Sequence, residues 1–353
     1  MHRGHIALAL MCMTTNAVAM PPPAVAPAKV LTFKDWTVGC DNGLSCQAVA
    51  LMADGLPDGS LSIVVTRAEG VNGSLMVEMA GAATKADRFR VIIDGKVADS
   101  GAITVGNETI KVNGADAMKL ARAMANGRKL KLVDGLGATL GNASLAGSTA
   151  ALRYIDNIQG RAGSKGAIAA NGRKAATARR VALPVITVKK IAPTDQLPDV
   201  STLVALSEGS PCAAERFGSS EDTTYSLGTG QNGPQALVML NCGAGAYNEA
   251  TGVYIGQLGN SGKWSFSPAL FDNDPTLVGE AVKVPILTNS DWDSANQRIS
   301  SFNKGRGLSD CGVSESYVWD GAMFRLSEAA RMDECRGSLD WIPVWRAEVR
   351  LVP

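Results

Sequence analysis

Six cysteines, Cys40, Cys46, Cys212, Cys242, Cys311 and Cys335, constrain this chain more than any other feature. An even set in an oxidising compartment reads as a disulfide framework. The compartment is indicated by residues 1–19. Arg3 gives a basic head, residues 6–13 an apolar run, and Ala17-Val18-Ala19 a small-residue site, so a signal peptide cleaved after Ala19 is expected. The apolar run falls short of the roughly 17 to 25 residues that cross a bilayer. Cys12, the seventh cysteine, leaves with this segment, and Met11 before it is not the small residue that lipid attachment requires. No later stretch approaches spanning length without charges, so a periplasmic or secreted protein with no membrane span is expected. Zinc is disfavoured by the cysteine spacing and by the lack of histidine ligands. If pairing stays within domains, Cys40 takes Cys46, and three arrangements of the other four remain open. Sequential pairing is the preferred one.

Both histidines, His2 and His5, lie in the leader. The mature chain then has no imidazole, the one side chain that titrates near neutrality unperturbed, and no Ser-His-Asp or Cys-His relay can be assembled. Loss of Arg3 leaves 33 basic and 33 acidic residues. That balance points to neither nucleic acid nor an anionic membrane. No cofactor or metal is indicated. The remaining length exceeds one usual domain, so two are expected.

The predicted fold class is mainly β (α+β), with two antiparallel β-rich domains. Residues 20–30, rich in proline, form an extended, solvated leader. Residues 31–160 alternate β-branched runs with turn signals, giving strands over 61–68, 75–79, 89–93, 96–98 and 109–112, with Asp94-Gly95 as a tight hairpin turn. A helix capped by Asp116 buries Ala117, Leu120, Ala121 and Met124 and stops at Gly127. A second, from Ser148, buries Leu152, Ile155 and Ile158 and ends at Gly160. The first domain is therefore a β-sandwich-like sheet with packed helices. Residues 161–198 begin with a Gly/Ala-rich basic stretch through Arg180 and read as a solvated linker in preference to a nucleic-acid arm. Residues 199–353 read as a disulfide-stapled β-meander. Its hairpin tips are expected after Tyr247, Trp292 and Trp319; a helix over 292–302 is the alternative at the second.

Phe33-Lys34-Asp35-Trp36-Thr37-Val38-Gly39-Cys40, with Cys46 behind it, is similar to the opening of the invasion-associated locus B proteins. The phrases at 241–248, 305–312 and 317–321, with all six cysteines, resemble the exported bacterial family called domain of unknown function 1176. That resemblance implies no established activity. The leading expectation is an exported, non-enzymatic binding or interaction protein of the cell envelope, with an envelope protein or polymer as partner. The alternatives are a carboxylate-based, glycosidase-like hydrolase or an inhibitor of an envelope enzyme. The candidate binding residues are Arg306, Asp310, Trp319, Asp320 and Arg325, because Arg offers a fork for carboxylates and Trp a stacking face. Gly305 and Gly307 permit a bend that brings Cys311 into bridging range. Asp310, Asp320, Glu328, Asp333 and Glu334 are the acids a hydrolase would draw on, with the last three expected around a short helix. The discriminating feature is a concave pocket with converging acids, against a broad surface bearing aromatics and Arg.

Overall fold

The computed structural model describes residues 25–52, 59–80, 89–98, 104–105, 109–214, 216, 221–273 and 275–353. The expected signal peptide, its cleavage site and Cys12 lie outside the described residues. Among the described residues the strands form five sheets, of which only the smallest is parallel.

A seven-stranded antiparallel sheet runs in the order Leu31–Phe33, Trp36–Cys40, Cys46–Ala50, Ser62–Arg67, Leu75–Ala80, Thr109–Asn113 and Thr104–Val105. Helices Gly114–Ala125 and Ser148–Ile158 bury Leu120, Met124, Leu152 and Ile155 in a core shared with Val38, Ile63, Val65 and Val77 of one face. A four-stranded sheet, Thr139–Ser144, Lys129–Asp134, Phe89–Ile93 and Lys96–Val97, adds Val91, Leu130 and Leu132 to that core. Asp94 and Gly95 both have positive φ, 48° and 81°, as the twist of a two-residue hairpin demands. The first helix begins after Asn113, not at a cap on Asp116. Asp116 instead sits in the first turn and pairs with Lys119 at 3.2 Å.

The second half contains two antiparallel sheets. One has the path Thr223–Gly230, Gly233–Ala244, Glu249–Leu258, Val284–Thr288 and Thr276–Val278, with Trp264–Pro268 also paired to Glu249–Leu258. The other is a five-stranded meander, Asp291–Asp293, Arg298–Lys304, Gly312–Trp319, Phe324–Met332 and Ile342–Arg346. The segment after Trp292 is a hairpin turn, with Asp293 accepting from the backbone of Ala295 and Asn296. Glu328 lies on a strand, not on a short helix. The run around it pairs on both sides, so Leu326 and Met332 reach the core from a ladder. Bridges Cys40–Cys46, Cys212–Cys242 and Cys311–Cys335 give the sequential pairing.

The two halves share a core. Val49, Leu51 and Val64, on the other face of the seven-stranded sheet, pack with Tyr317, Leu326, Ile342 and Val344 of the meander. Trp36–Cys40 is accordingly buried at all five positions. Polar ties reinforce the contact: Arg336 pairs with Asp35 at 2.9 Å, Arg346 with Asp41, and Ser62 Oγ donates to Asp340 at 2.9 Å.

Two segments expected in solvent are partly packed. Val25 and Ala28 of the leader lie against the meander's core, and Ala28 N donates to Val344 O at 3.0 Å. The basic stretch opens on Arg161, which is fully buried beside Asp156, followed by buried Ala167 and Ile168. The Asp156 carboxylate accepts from the backbone N–H groups of Ile168, Ala169 and Ala170, each at 2.8 Å. A buried carboxylate is a strong anchor for successive amides, and composition alone does not reveal it. Exposed chain resumes at 171. Val185–Lys189 then pairs in parallel with Glu348–Val352.

Candidate functional site

The five residues singled out in the sequence do not form one site. Arg306 and Asp310 lie in the loop joining Arg298–Lys304 to Gly312–Trp319. Trp319, Asp320 and Arg325 lie at the far end of that second strand. Eight residues of extended chain put the two groups on the order of 25 Å apart.

At the first end, Arg306 Nε donates to Asp310 at 2.7 Å, its Nη2 bonds the other carboxylate oxygen, and Gly337 N donates to Asp310 at 2.6 Å. The Arg306 hydrogen bond outweighs burial and holds the Asp310 carboxyl below its ordinary range. The fork expected to recognise a ligand thus grips a carboxylate of its own loop. A Cβ on Gly305 would lie 2.7 Å from Cys311 Sγ, so the bend needs the missing side chain.

At the other end, Trp319 is buried, its ring 5.0 Å from that of Phe324. Asp320 accepts from Ala322 N at 2.9 Å and Met323 N at 2.8 Å, closing the turn. Arg325 donates from Nε to Asp272 at 2.8 Å and approaches Asp320 at 3.6 Å. This cluster meets itself and borders none of the cavities described below.

The acids a hydrolase would use are similarly placed. Glu328 pairs with Arg298 at 3.3 Å and Asp333 with Arg331 at 2.9 Å. Burial raises the Glu315 carboxyl above its usual value, against hydrogen bonds from Tyr317 at 2.8 Å and Asn273 at 2.7 Å. Both its oxygens are engaged by those neighbours. Among the described residues no cluster of His, Cys, Asp and Glu could hold a metal ion.

The concave feature with the most developed lining lies where the halves meet. A cavity of about 440 Å³ is bounded by Asp35, Leu51, Met52 and Gly59–Leu61 from the first sheet, by Arg128, Lys129 and residues 142–144 from the four-stranded sheet, and by Arg336 from the second half. Arg336 reaches across, donating to Met52 O at 3.0 Å, Lys34 O at 3.2 Å and Asp35 at 2.9 Å. Burial would raise the Asp35 carboxyl, but hydrogen bonds from Ser144 and Arg336 outweigh it and hold it low. Arg128 and Lys129 are exposed at the start of their strand, positioned by backbone N–H donation to Asp94. With Arg336 tied to Asp35, the charge balance among the described lining residues is cationic. Leu51, Leu61 and Ala143 supply an apolar wall. Such a lining suits a small molecule carrying a negative group. Local sequence reading misses this site because its parts are far apart in the chain. Of its lining, the sequence singles out Asp35, within the segment similar to the invasion-associated locus B proteins.

Comparison with known proteins gives three findings. The model of the family described as protein of unknown function (DUF1176) matches residues 30–348. A curated relative, "Uncharacterized protein YpfG" of Escherichia coli (strain K12), is 25% identical over 348 residues, covering 91% of this chain and 93% of its own. The crystal structure of invasion associated protein B from Bartonella henselae aligns over 37% of this chain and 99% of its own, at 14% identity and a TM-score of 0.28.

Proposed function

Because the chain belongs to the DUF1176 family of proteins of unknown function, we propose its role from its own geometry: an exported, non-enzymatic binding protein of the cell envelope that holds a small anionic ligand in the cavity between its halves. The observation that carries this reading is the cavity itself, with Arg128 and Lys129 at its mouth and an apolar wall behind. The three disulfides mark an extracytoplasmic protein. No helix among the described residues is long and apolar enough to cross a membrane. Export with cleavage after Ala19 belongs to the same proposal, and the intact mass of protein recovered from the periplasm tests it.

The hydrolase alternative has less support, since Glu315, the carboxyl raised by burial, is bonded at both oxygens to Tyr317 and Asn273. The binding test is a calorimetric titration of the mature protein with small carboxylates and organic phosphates, citrate first. A saturable heat is expected with one of them, weakened about tenfold, or roughly 1.4 kcal/mol, by Arg128→Ala with Lys129→Ala. Both side chains are exposed, so the melting temperature should not move. No saturable binding across the series, or binding unchanged in the double variant, would remove the site from consideration.

A further inference from the structure

A groove of about 600 Å³ lies on the second half, between the helix Val200–Glu208 and the hairpin that leads into the strand Trp264–Pro268. It shares no lining residue with the cavity between the halves. Thr202, Ala205 and Leu206 form one wall, Trp264 and Phe266 the other. Alternate residues of a strand point to one face, so the two rings rise from the same side. Their centroids are 6.4 Å apart and their planes lie within 17° of parallel. Both side chains are half-buried, so each ring keeps surface in the groove.

The walls are fixed relative to one another. Leu206 and Phe266 both pack against the small core of Val238, Leu240, Tyr254 and Val284 beneath them. Gly256, opposite Phe266 on the neighbouring strand, makes room for the ring pair. A Cβ there would lie 2.9 Å from Phe266 Cε1 and 3.2 Å from Trp264 Cε3, so a larger residue would displace both rings. Two charged side chains, Asp199 and Lys263, complete the groove; they are of opposite sign and both exposed, so the described lining has no net charge. Asp199 Oδ1 accepts from Thr202 N at 2.8 Å and from Ser201 Oγ at 2.9 Å, which caps the helix. A carboxylate has about four acceptor sites and an ammonium three donors, so both groups retain capacity for a ligand.

From this we infer a binding site for a neutral oligosaccharide. The C–H face of a sugar ring meets the electron-rich surfaces of Trp264 and Phe266, while hydroxyls donate to Asp199 and accept from Lys263. Neutrality follows from the balanced charges, since a net anion would be opposed by Asp199 and a net cation by Lys263. The paired rings and the volume suit more than one sugar ring, and apolar walls with a few polar groups are the usual make-up of such a site. This groove is independent of the anion cavity and stands or falls separately.

The test titrates the mature protein with cellotriose and follows the Trp264 indole N–H in a ¹H–¹⁵N spectrum, assigned by its loss in Trp264→Phe. A saturable shift of that resonance is expected at millimolar concentration. Chitotriose, which adds acetamido groups to the same backbone, is the second probe; a shift with either supports the inference, and their ranking separates a plain glucan from an amino-sugar polymer. Sorbitol, with the hydroxyls but no ring face, should bind about tenfold more weakly. By calorimetry, Trp264→Ala should weaken the trisaccharide about tenfold, and Lys263→Ala, an exposed change outside the strand ladder, about fivefold. An unmoved Trp264 resonance with both trisaccharides at tens of millimolar overturns the inference. So does equal binding of sorbitol, or a Lys263→Ala variant that binds as the parent does.

Discussion

Replacing Asp156 tests the strongest energetic claim made for this fold. Its carboxylate is fully buried, accepts three backbone N–H groups and is the counter-charge to two buried arginines. Burial depresses the basicity of both arginines; with Arg161 also lowering Arg67 and Asp156 pulling both up, Arg67 comes to about 10. Breaking a buried pair by removing one member costs about 3–5 kcal/mol. Three hydrogen bonds to a charged acceptor, at about 1.5–3 kcal/mol each, would add to more than that if they were independent. They are not, because the 161–170 segment can peel away and return its amides to water at lower cost than global unfolding. The expected loss for Asp156→Ala is therefore about 4 kcal/mol in a urea titration, and about half of that for Asp156→Asn, whose amide oxygen can still accept. Trypsin supplies the local readout. The parent should be cut first in the exposed stretch bearing Arg173, Lys174 and Arg180, with the bond after Arg161 protected. The Ala variant should expose Arg161 and Lys165 as well. A loss under about 1 kcal/mol with Arg161 still protected would show that the carboxylate does not anchor this segment.

Two further substitutions follow from the meander. Arg306→Ala should lower stability by about 1 kcal/mol, a figure discounted because the Arg306 side chain is 40% exposed. Asp310 is depressed in the folded state, so its contribution is present above the unfolded carboxyl's pKa of about 4 and is lost as pH falls through the folded value; acid titration of the variant should show a shallower loss. Glu315→Gln should behave in the opposite sense. The folded carboxyl is raised, so ionising it opposes folding; the variant should exceed the parent in urea midpoint at neutral pH, with the difference closing as pH falls below the unfolded value.

Local patterns were legible where local physics decided them. β-branched runs between turn signals mark strands over 75–79 and 109–112, found at Leu75–Ala80 and Thr109–Asn113, Asp94-Gly95 marks its turn, and the apolar faces of both first-half helices are visible from spacing. The even cysteine set and its sequential pairing were also readable. Long-range satisfaction was not. Arg161 sits in a stretch of linker composition, and it is turned inward by the Gln159 side chain and by carbonyl oxygens of Ala68, Gly70 and Val71, which lie about ninety residues away in the chain. The acids Glu328, Asp333 and Glu334 read as lying around a short helix, but strand partners on both sides of Glu328 override that preference. Arg306 is a candidate binding residue by sequence, yet its guanidinium grips Asp310 of its own loop. Trp292 could be recognised as a hairpin-tip aromatic, but an indole N–H without an acceptor has no sequence signature.

The seven-stranded sheet, covered by helices on one face and by the meander on the other, also bears on how a ligand would be captured. A bilobed binder that clamps needs a seam that parts, and here the seam is a packed apolar layer between the meander and a sheet whose two faces serve both cores. Rotating one half against the other would pull Val49, Leu51 and Val64 out of contact with Tyr317 and Ile342 and expose them to water. The cavity at that joint is consequently ready-made. If it holds an anion as proposed, capture is entry into a fixed mould, so selectivity would rest on shape and charge present before encounter, and affinity would be tuned through the rate of escape.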